Sequence, residues 1–287
     1  MVSTFAVSHA ENRVEFTMLV PLMNATFMRA VTGRARAGAT RKPAAVSTVA
    51  VGLALALGGC ATRGPLHVYT LAADGERPVL DLDASARAEA PSFLEDEDRV
   101  SGFAYDPYTD HFFLRLAPGN RIRVVDRPAR AIKRELEIKG APEGAGDLAV
   151  RPRDGYLYML GPTPGRLPFC TRLGKYLGEL ALEGAAPGAT GLAFDMSKDA
   201  LLVLGDEGRR VTAHDLTGRK VAEVKLDRRA GPALAFDSDQ REFHAPLPDR
   251  PGEIAVFDEN GRFLRSTPAP AGSPLIDVGP RSFIRVF

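Results

Sequence analysis

Five arginines lie in short segments that contain Gly or Pro, and these side chains are well suited to recognition chemistry. They stand next to expected backbone turns, at Arg121, Arg166, Arg209, Arg210 and Arg250. A guanidinium group matches carboxylate and phosphate oxygens in a bidentate geometry, so a ring of such groups predicts an anionic ligand. That ligand would be an acidic polymer, a phospholipid headgroup or an acidic patch on a protein. The simpler interpretation is that each arginine is a solvated loop residue.

Carboxylates and histidines also recur, but their spacing does not predict a metal or a catalytic centre. Asp106, Asp195 and Asp237 end equivalent segments, and a residue that every repeat needs is usually a turn or packing device. The four histidines of the repeat region, His67, His111, His214 and His244, fall in different repeats. The chain has no G-x-S-x-G elbow and no phosphate loop ending in Lys-Ser or Lys-Thr. We therefore assign no catalytic residue, metal ligand or cofactor from the sequence.

Cys60 follows a segment with the successive parts of an export signal. Residues 28–42 are basic without acidic side chains, residues 44–57 form an apolar run of 14 residues, and two glycines precede the cysteine. A membrane-spanning helix needs about 20 residues, so a signal-peptide core is the better interpretation. Leu57-Gly58-Gly59-Cys60 resembles the lipobox of bacterial lipoproteins. The resemblance implies a diacylglycerol on the Cys60 sulfur, cleavage before Cys60, acylation of the new amino group and durable membrane attachment.

The residue after Cys60 indicates which membrane would hold the lipoprotein. Ala61 stands where lipoproteins of the inner membrane carry Asp, so the resemblance implies the outer membrane, facing the periplasm. We interpret residues 1–27 as an unstructured extension from a misplaced start, 28–59 as signal peptide, 60–65 as lipidated cysteine and tether, and 66–287 as one folded domain. Cys170, the other cysteine, is predicted to be buried and structural.

The folded domain contains an internal repeat. Segments that begin at Phe103, Leu148, Leu192, Leu234 and Ile276 lie 45, 44, 42 and 42 residues apart. Each has alternating apolar residues, a polar turn and a second apolar run, a pattern that predicts a β-hairpin. A second strand pair follows the first four, with turns at 215–218 and 258–261 that supply a capping Asp and a Gly suited to positive φ. Four strands per repeat predict the blades of an all-β propeller.

The two ends of the domain are predicted to complete one blade. Residues 66–82 match the second half of a repeat, and residues from 276 onwards match the first half. The last two strands and the first two would then share a blade, closing the ring and covering both sheet edges. This count gives five blades. Six is the alternative if residues 84–99 hold a further piece instead of a surface loop.

The pattern of LAFD, a hairpin and FDENGRFL resembles NHL-repeat propellers over residues 66–287. Such domains usually have six blades, and the propeller architecture carries both binding scaffolds and enzymes. Gluconolactonase-like relatives hold a metal in the central channel, with ligands from the loops that enter the innermost strands. In this chain those loops offer only Glu143, Asp147 and Asp277 as nearby carboxylates, too few to predict a metal.

Composition agrees with an all-β domain and sets limits on partners. The chain has 37 basic and 36 acidic residues, which predicts no nucleic-acid partner, and its 28 Gly and 22 Pro favour many turns. The sequence favours a membrane-anchored periplasmic lipoprotein whose non-catalytic propeller binds or scaffolds an envelope protein or anionic ligand. The alternative is a lactonase-like hydrolase or lyase that acts in the channel.

Overall fold

Four-stranded antiparallel sheets are the repeating element of the structure. The computed structural model describes residues 66–71, 79–82, 87–88, 94–95, 97–269 and 275–280. These ranges contain twenty β-strands arranged in five four-stranded sheets. The predicted class, an all-β propeller of four-stranded blades, is confirmed.

Four blades are each formed by consecutive strands, which follow one another from the channel outwards. Blade 2 contains β4 (Arg99–Asp106), β5 (His111–Ala117), β6 (Arg121–Asp126) and β7 (Ala131–Glu137). Blade 3 contains β8 (Leu148–Arg151), β9 (Tyr156–Met159), β10 (Arg166–Cys170) and β11 (Tyr176–Ala181). Blade 4 contains β12 (Gly191–Asp195), β13 (Ala200–Gly205), β14 (Arg210–His214) and β15 (Lys220–Lys225). Blade 5 contains β16 (Ala235–Asp237), β17 (Glu242–Pro246), β18 (Glu253–Phe257) and β19 (Phe263–Pro268).

Blade 1 is formed by both ends of the domain, but the number of strands from each end differs from the prediction. Its strands, from the channel outwards, are β20 (Leu275–Pro280), β1 (Leu66–Leu71), β2 (Leu80–Asp81) and β3 (Arg87–Ala88). The C-terminal side therefore supplies one strand and the N-terminal side three, where the sequence predicted two from each. The reason is that β1 pairs with β20 along its whole length, from Leu66 opposite Pro280 to Leu71 opposite Leu275, and so occupies the second position of the blade.

The innermost strands surround a central channel. Each of β20, β4, β8, β12 and β16 contacts the innermost strands of its two neighbours, so the ring is closed. Because each blade is an antiparallel meander, the loops that lead into innermost strands lie on one side, together with the turns between second and third strands. We call this side the loop face. The turns after the first and third strands lie on the opposite side, the turn face.

The hydrophobic core lies mainly between neighbouring blades. Between blades 1 and 2, the buried ring of Tyr69 lies 4.8 Å from that of Tyr105 and 4.9 Å from that of Phe112, measured between centroids. Between blades 4 and 5, Phe236 and Phe243 belong to one buried cluster with Leu202 and Leu204. Apolar burial contributes about 25 cal/mol per Å², so these contacts stabilise the ring.

Tight turns on the turn face dock one blade against the next. In blade 4, Asp215 Oδ1 accepts hydrogen bonds from the backbone N–H groups of Thr217 and Arg219, and Gly218 has φ +87°. The Gly218 carbonyl in turn accepts a 2.8 Å hydrogen bond from the N–H of Glu183, which follows the outermost strand of blade 3. The turn formed by Asp258 and Gly261 makes the same type of bond to Asp227. The predicted turn chemistry is confirmed at both positions.

Candidate functional site

Asp147 lies in the channel near the loop face, and its carboxyl group is hydrogen-bonded to three blades. It immediately precedes β8, and its side chain is 2% exposed. Its Oδ2 accepts hydrogen bonds from the N–H of Leu192 in blade 4, at 2.9 Å, and from the N–H of Leu234 in blade 5, at 3.4 Å. Its Oδ1 accepts a third bond from the N–H of Leu148. The carboxyl group therefore ties together the innermost strands of blades 3, 4 and 5.

Asp277 lies on β20 and faces the same channel from blade 1. Its Oδ2 accepts a 2.6 Å hydrogen bond from the N–H of Tyr105 in blade 2, and its Oδ1 accepts one of 2.8 Å from the N–H of Val278. In the repeat, Asp277 is two positions further along its strand than Asp147, which corresponds to about 7 Å towards the turn face. Asp277 is half-buried, and it forms part of the wall of a pocket in the channel.

Both carboxyl groups are harder to ionise than an ordinary aspartate. Burial raises the pKa of Asp147 to about 8, repulsion from Asp277 adds to the rise, and the three backbone donors oppose it. Burial also raises the pKa of Asp277 to about 7, against the pull of its two backbone donors. Because a low-dielectric channel disfavours two negative charges, Asp147 stays largely protonated at neutral pH and Asp277 is close to half ionised.

Arg115 is a buried cation behind the loop that carries Asp147. It lies on β5, its side chain is 1% exposed, and its guanidinium donates to three backbone carbonyls. Nη1 donates to Leu160 O at 2.6 Å and to Gly146 O at 3.2 Å, and Nη2 donates to Gly144 O at 2.9 Å. Burial lowers the pKa of Arg115 to about 10, although Asp147 nearby raises it, so the group remains charged at neutral pH. Arg115 thus connects blade 2 to the loop leading into β8.

A pocket opens from the turn face into this channel. It holds about 30 Å³ of space open to water-sized groups, and Asp277 is the carboxylate in its wall. The side chains around it include Val150, Leu192, Phe194, Met196 and Phe236, but polar atoms contribute more than half of its exposed surface. The interior of the ring therefore combines a small pocket, one partly exposed carboxyl group and one structural carboxyl group.

The five arginines predicted from the sequence share the loop face and are distributed over blades 2, 3, 4 and 5, with Arg209 and Arg210 both in blade 4. Arg121, Arg166 and Arg210 each begin the third strand of a blade, and Arg250 lies just before the third strand of blade 5. Four of the five form ion pairs with carboxylates of their own blade or of the adjoining loops. The distances are 2.8 Å for Arg121 to Asp98, 3.6 Å for Arg166 to Glu179, 2.7 Å for Arg210 to Asp206 and 3.7 Å for Arg250 to Glu253. Arg209 is exposed. The predicted ring is thus one of paired charges, and its role in ligand binding stays a prediction.

A groove lies between blades 3 and 4 on the loop face, beside one of these arginines. Its volume is about 590 Å³ including the open side. Its walls include Pro162, Pro164, Leu182, Gly188 and Val203, together with Arg166, whose side chain is 52% exposed. The long 3.6 Å contact with Glu179 leaves the Arg166 guanidinium available at the lip of this groove.

The recurring aspartates are turn residues, as predicted. Asp106, Asp195 and Asp237 each accept a backbone N–H from the residue two positions later, at 3.0, 2.8 and 2.9 Å. Cys170 is fully buried, and burial raises the pKa of its thiol to about 12, in agreement with the predicted structural role.

The four histidines of the described residues lie on blades 1, 2, 4 and 5. Across the described ranges, no group of three or more His, Cys, Asp or Glu side chains could hold a metal ion.

Comparisons with known proteins support the architecture alone. No family model matches the chain, and no curated protein matches it. A chain of a nidogen/laminin complex aligns with a TM-score of 0.53 at 10% identity, over 77% of this chain and 100% of its own. A protein of unknown function from Bacteroides caccae aligns at 0.48 and 11%, over 75% of this chain and 99% of its own. A glutaminyl cyclase from Myxococcus xanthus aligns at 0.47 and 17%, over 60% and 72%. The closed ring of four-stranded sheets and the alignment with the nidogen/laminin chain both identify the fold as a β-propeller.

The predicted export signal and lipidated cysteine lie outside the described residues. This applies to residues 1–27, 28–59 and 60–65, including Cys60. Among the residues that the structure does describe, no helix is long and apolar enough to cross a membrane.

Proposed function

We propose that this chain is a membrane-anchored propeller that binds or scaffolds a partner in the cell envelope, without catalysis of its own. The observation that carries the proposal is the use of the Asp147 carboxyl group. Both of its oxygens accept backbone N–H groups, from three different blades, so it serves to hold the ring together. Because the Asp147 carboxyl group is bonded to the backbone of three blades, it stabilises the ring, and such a channel suits a rigid scaffold.

The groove between blades 3 and 4 is the binding surface that the side chains favour. It combines apolar walls with a half-exposed guanidinium, Arg166, so it suits a partner segment that carries a carboxylate or phosphate beside an apolar residue. The other loop-face arginines are largely paired with carboxylates of the propeller itself. This arrangement favours an envelope protein, which can exchange ion pairs with the rim, over a small free anion.

The sequence supports a tether at Cys60 that holds the propeller on the periplasmic side of the outer membrane. Two or more acyl chains give durable attachment. Anchoring also raises the local concentration of other envelope proteins, so individually weak contacts at the groove become sufficient. Binding of the partner at the groove therefore requires no large apolar interface.

The test is in-cell crosslinking of the full chain, followed by detergent extraction and mass spectrometry. The control is a Cys60→Ser variant, which keeps the propeller and loses the predicted lipid. We expect one envelope protein to be captured from the wild type and not from Cys60→Ser. Equal capture from both forms would show that the anchor does not contribute to partner binding. Capture of no protein from either form would refute the scaffold function.

A lactonase-like hydrolase or lyase is the second candidate, and one observation favours it. The Asp277 carboxyl group faces an open pocket, and burial raises its pKa to about 7, a value suited to proton transfer at neutral pH. This candidate predicts hydrolysis of lactones by the purified protein, lost in Asp277→Asn. Absence of turnover across a lactone panel would refute it.

A further inference from the structure

The strand pairing of blade 1 places the start of the folded domain on the turn face. β20 is the innermost strand of this blade, so it begins at the loop face and Pro280 lies at its turn-face end. Leu66 pairs opposite Pro280, so β1 begins at the turn face. Cys60 precedes Leu66 by six residues. Because an extended chain spans at most about 3.6 Å per residue, Leu66 lies within about 22 Å of the predicted lipid attachment.

Exposed basic side chains lie on the turn face of the blades that follow. They belong to turns of blades 2, 3 and 4, at Arg130, Arg153, Lys175 and Lys198, and we call these four residues the basic rim. Within the part of the chain that the structure describes, none of the four forms an ion pair. Asp154 and Asp199, in the same turns, are both paired with Arg151. The charges that this face presents to its surroundings are therefore mainly positive.

Two large apolar side chains are exposed on the same part of the turn face. Tyr108, in the turn between β4 and β5, is 45% exposed. Leu173, in the turn between β10 and β11, is 67% exposed, the highest value for a large hydrophobic side chain in the described ranges. Single exposed apolar residues are common on protein surfaces. These two lie among the cations of the basic rim, a combination typical of surfaces that enter the headgroup region of a bilayer.

We propose that the turn face of blades 2, 3 and 4 lies on the anionic phospholipid surface of the membrane that holds the Cys60 lipid. The basic rim contacts the lipid phosphates, and Tyr108 and Leu173 enter the boundary between headgroups and acyl chains. The loop face, with its groove, then points away from the membrane. The inference rests on the lipid anchor of the proposed function and does not depend on the partner at the groove.

A phospholipid surface suits this face better than an acidic protein does. The short tether keeps the turn face near the bilayer, so contacts with lipid form at high local concentration. The basic rim is also spread over three blades instead of lining one groove, which matches a continuous anionic surface. Lipid anchoring and the basic rim therefore reinforce each other, as a lipid chain combined with basic residues does in other membrane-attached proteins.

The test uses the fact that the chain contains no Trp, so that one introduced Trp reports its own surroundings. The full chain is expressed in bacteria, extracted with detergent and reconstituted into vesicles of phosphatidylethanolamine and phosphatidylglycerol, about 3:1, with brominated acyl chains. Bromine quenches Trp fluorescence on contact, and vesicles without bromine give the reference. Leu173→Trp places the probe on the turn face, and Asp249→Trp is the control at an exposed position of the loop face.

We expect Leu173→Trp to lose about half or more of its emission in the brominated vesicles, and Asp249→Trp to lose little. Adding Arg153→Glu and Lys175→Glu to Leu173→Trp should lower the quenching about twofold, because both charges then repel the anionic surface. Raising NaCl to about 0.5 M should act in the same direction. Equal quenching at positions 173 and 249 would overturn the proposal.

The matched control for the charge reversal is Lys139→Glu with Arg209→Glu, two exposed cations of the loop face. In the Leu173→Trp background this pair should leave the quenching unchanged. Equal effects of the two charge reversals would show that net charge, and not the turn face, controls the contact. That result would overturn the role of the basic rim.

Mass spectrometry of the reconstituted protein separates failure of the anchor from failure of the orientation. A Cys60 without lipid would refute the tether of the proposed function and the orientation together. A lipidated Cys60 without quenching at position 173, as expected if an acidic protein covers the turn face instead, would overturn the orientation alone. The scaffold function at the loop-face groove would then remain intact.

Discussion

The Asp147 carboxyl group accepts a 2.9 Å hydrogen bond from the backbone N–H of Leu192, and this bond joins blade 3 to blade 4 inside the channel. The same Oδ2 also reaches the N–H of Leu234 in blade 5. Side-chain packing and the hydrogen bonds of the turn face also hold neighbouring blades together. Asp147 adds a polar connection between inner strands, near the loop face.

Asp147→Ala should destabilise the ring at pH 5 by about 2 kcal/mol, because it leaves the N–H groups of Leu192 and Leu234 without their acceptor. Urea unfolding followed by circular dichroism measures the change. The matched control is Asp249→Ala, an exposed loop residue, which should change stability by about 0.5 kcal/mol or less. Equal effects of the two substitutions would show that the channel bonds contribute little.

The two channel carboxyl groups should make the protein less stable as pH rises from about 5 to about 7. Burial raises the folded-state pKa of Asp147 to about 8 and of Asp277 to about 7, from an ordinary value of 3.8. Above that ordinary value the unfolded chain releases these protons while the folded chain keeps them. The free energy of unfolding should therefore fall by about 1 kcal/mol per pH unit for each group.

Asp277→Ala checks this pH dependence directly. The variant should lose the contribution of one group, so its stability should fall less steeply than that of the wild type over the same interval. Urea unfolding at several pH values from 4.5 to 8 measures both slopes. Identical slopes would contradict the assignment of a raised pKa to Asp277.

Arg115→Met should cost about 3 kcal/mol in stability. The substitution keeps an apolar stem of similar length and leaves the buried carbonyls of Leu160, Gly146 and Gly144 without a donor. Arg209→Met, at an exposed position, is the control and should have little effect. If the two variants unfold at the same urea concentration, the guanidinium does not support the loop before β8.

Gly218→Ala should destabilise the protein by about 3 kcal/mol or more, because a Cβ at this position would overlap the carbonyl oxygen of Ala181 in the neighbouring blade. Gly188→Ala is a matched control with φ +59° and open space around the added carbon. It should cost only the backbone strain of about 1 kcal/mol. Thermal unfolding of both variants distinguishes interblade contact from strain, and equal losses would favour strain alone.

Much of the fold was predictable because the repeat is local in the sequence. Each hairpin and its turn residues, such as Asp215 and Gly218, are encoded within one repeat. The division of blade 1 was not predictable in the same way. It depends on which strand pairs beside β20, and Leu66–Leu71 does so although it lies at the other end of the domain.

The candidate site was less predictable, because its contacts join distant parts of the chain. The sequence marked Asp147 and Asp277 as channel carboxylates, but their bonds to Leu192, Leu234 and Tyr105 depend on the arrangement of blades. Arg115 was missed entirely. In the strand HFFLRLA an arginine suggests a solvent-facing residue, whereas its guanidinium reaches carbonyls of blade 3.

The central claim, a propeller that holds an envelope partner at its loop face, is tested most directly by site-specific photo-crosslinking in cells. A photoreactive residue replaces Gly188 in the groove, and the control variant carries it at Lys198, an exposed residue of the turn face. We predict one crosslinked envelope protein from position 188, lost when Arg166→Glu is added, and none of that protein from position 198. No crosslink at position 188, or the same product from both positions, would contradict the claim.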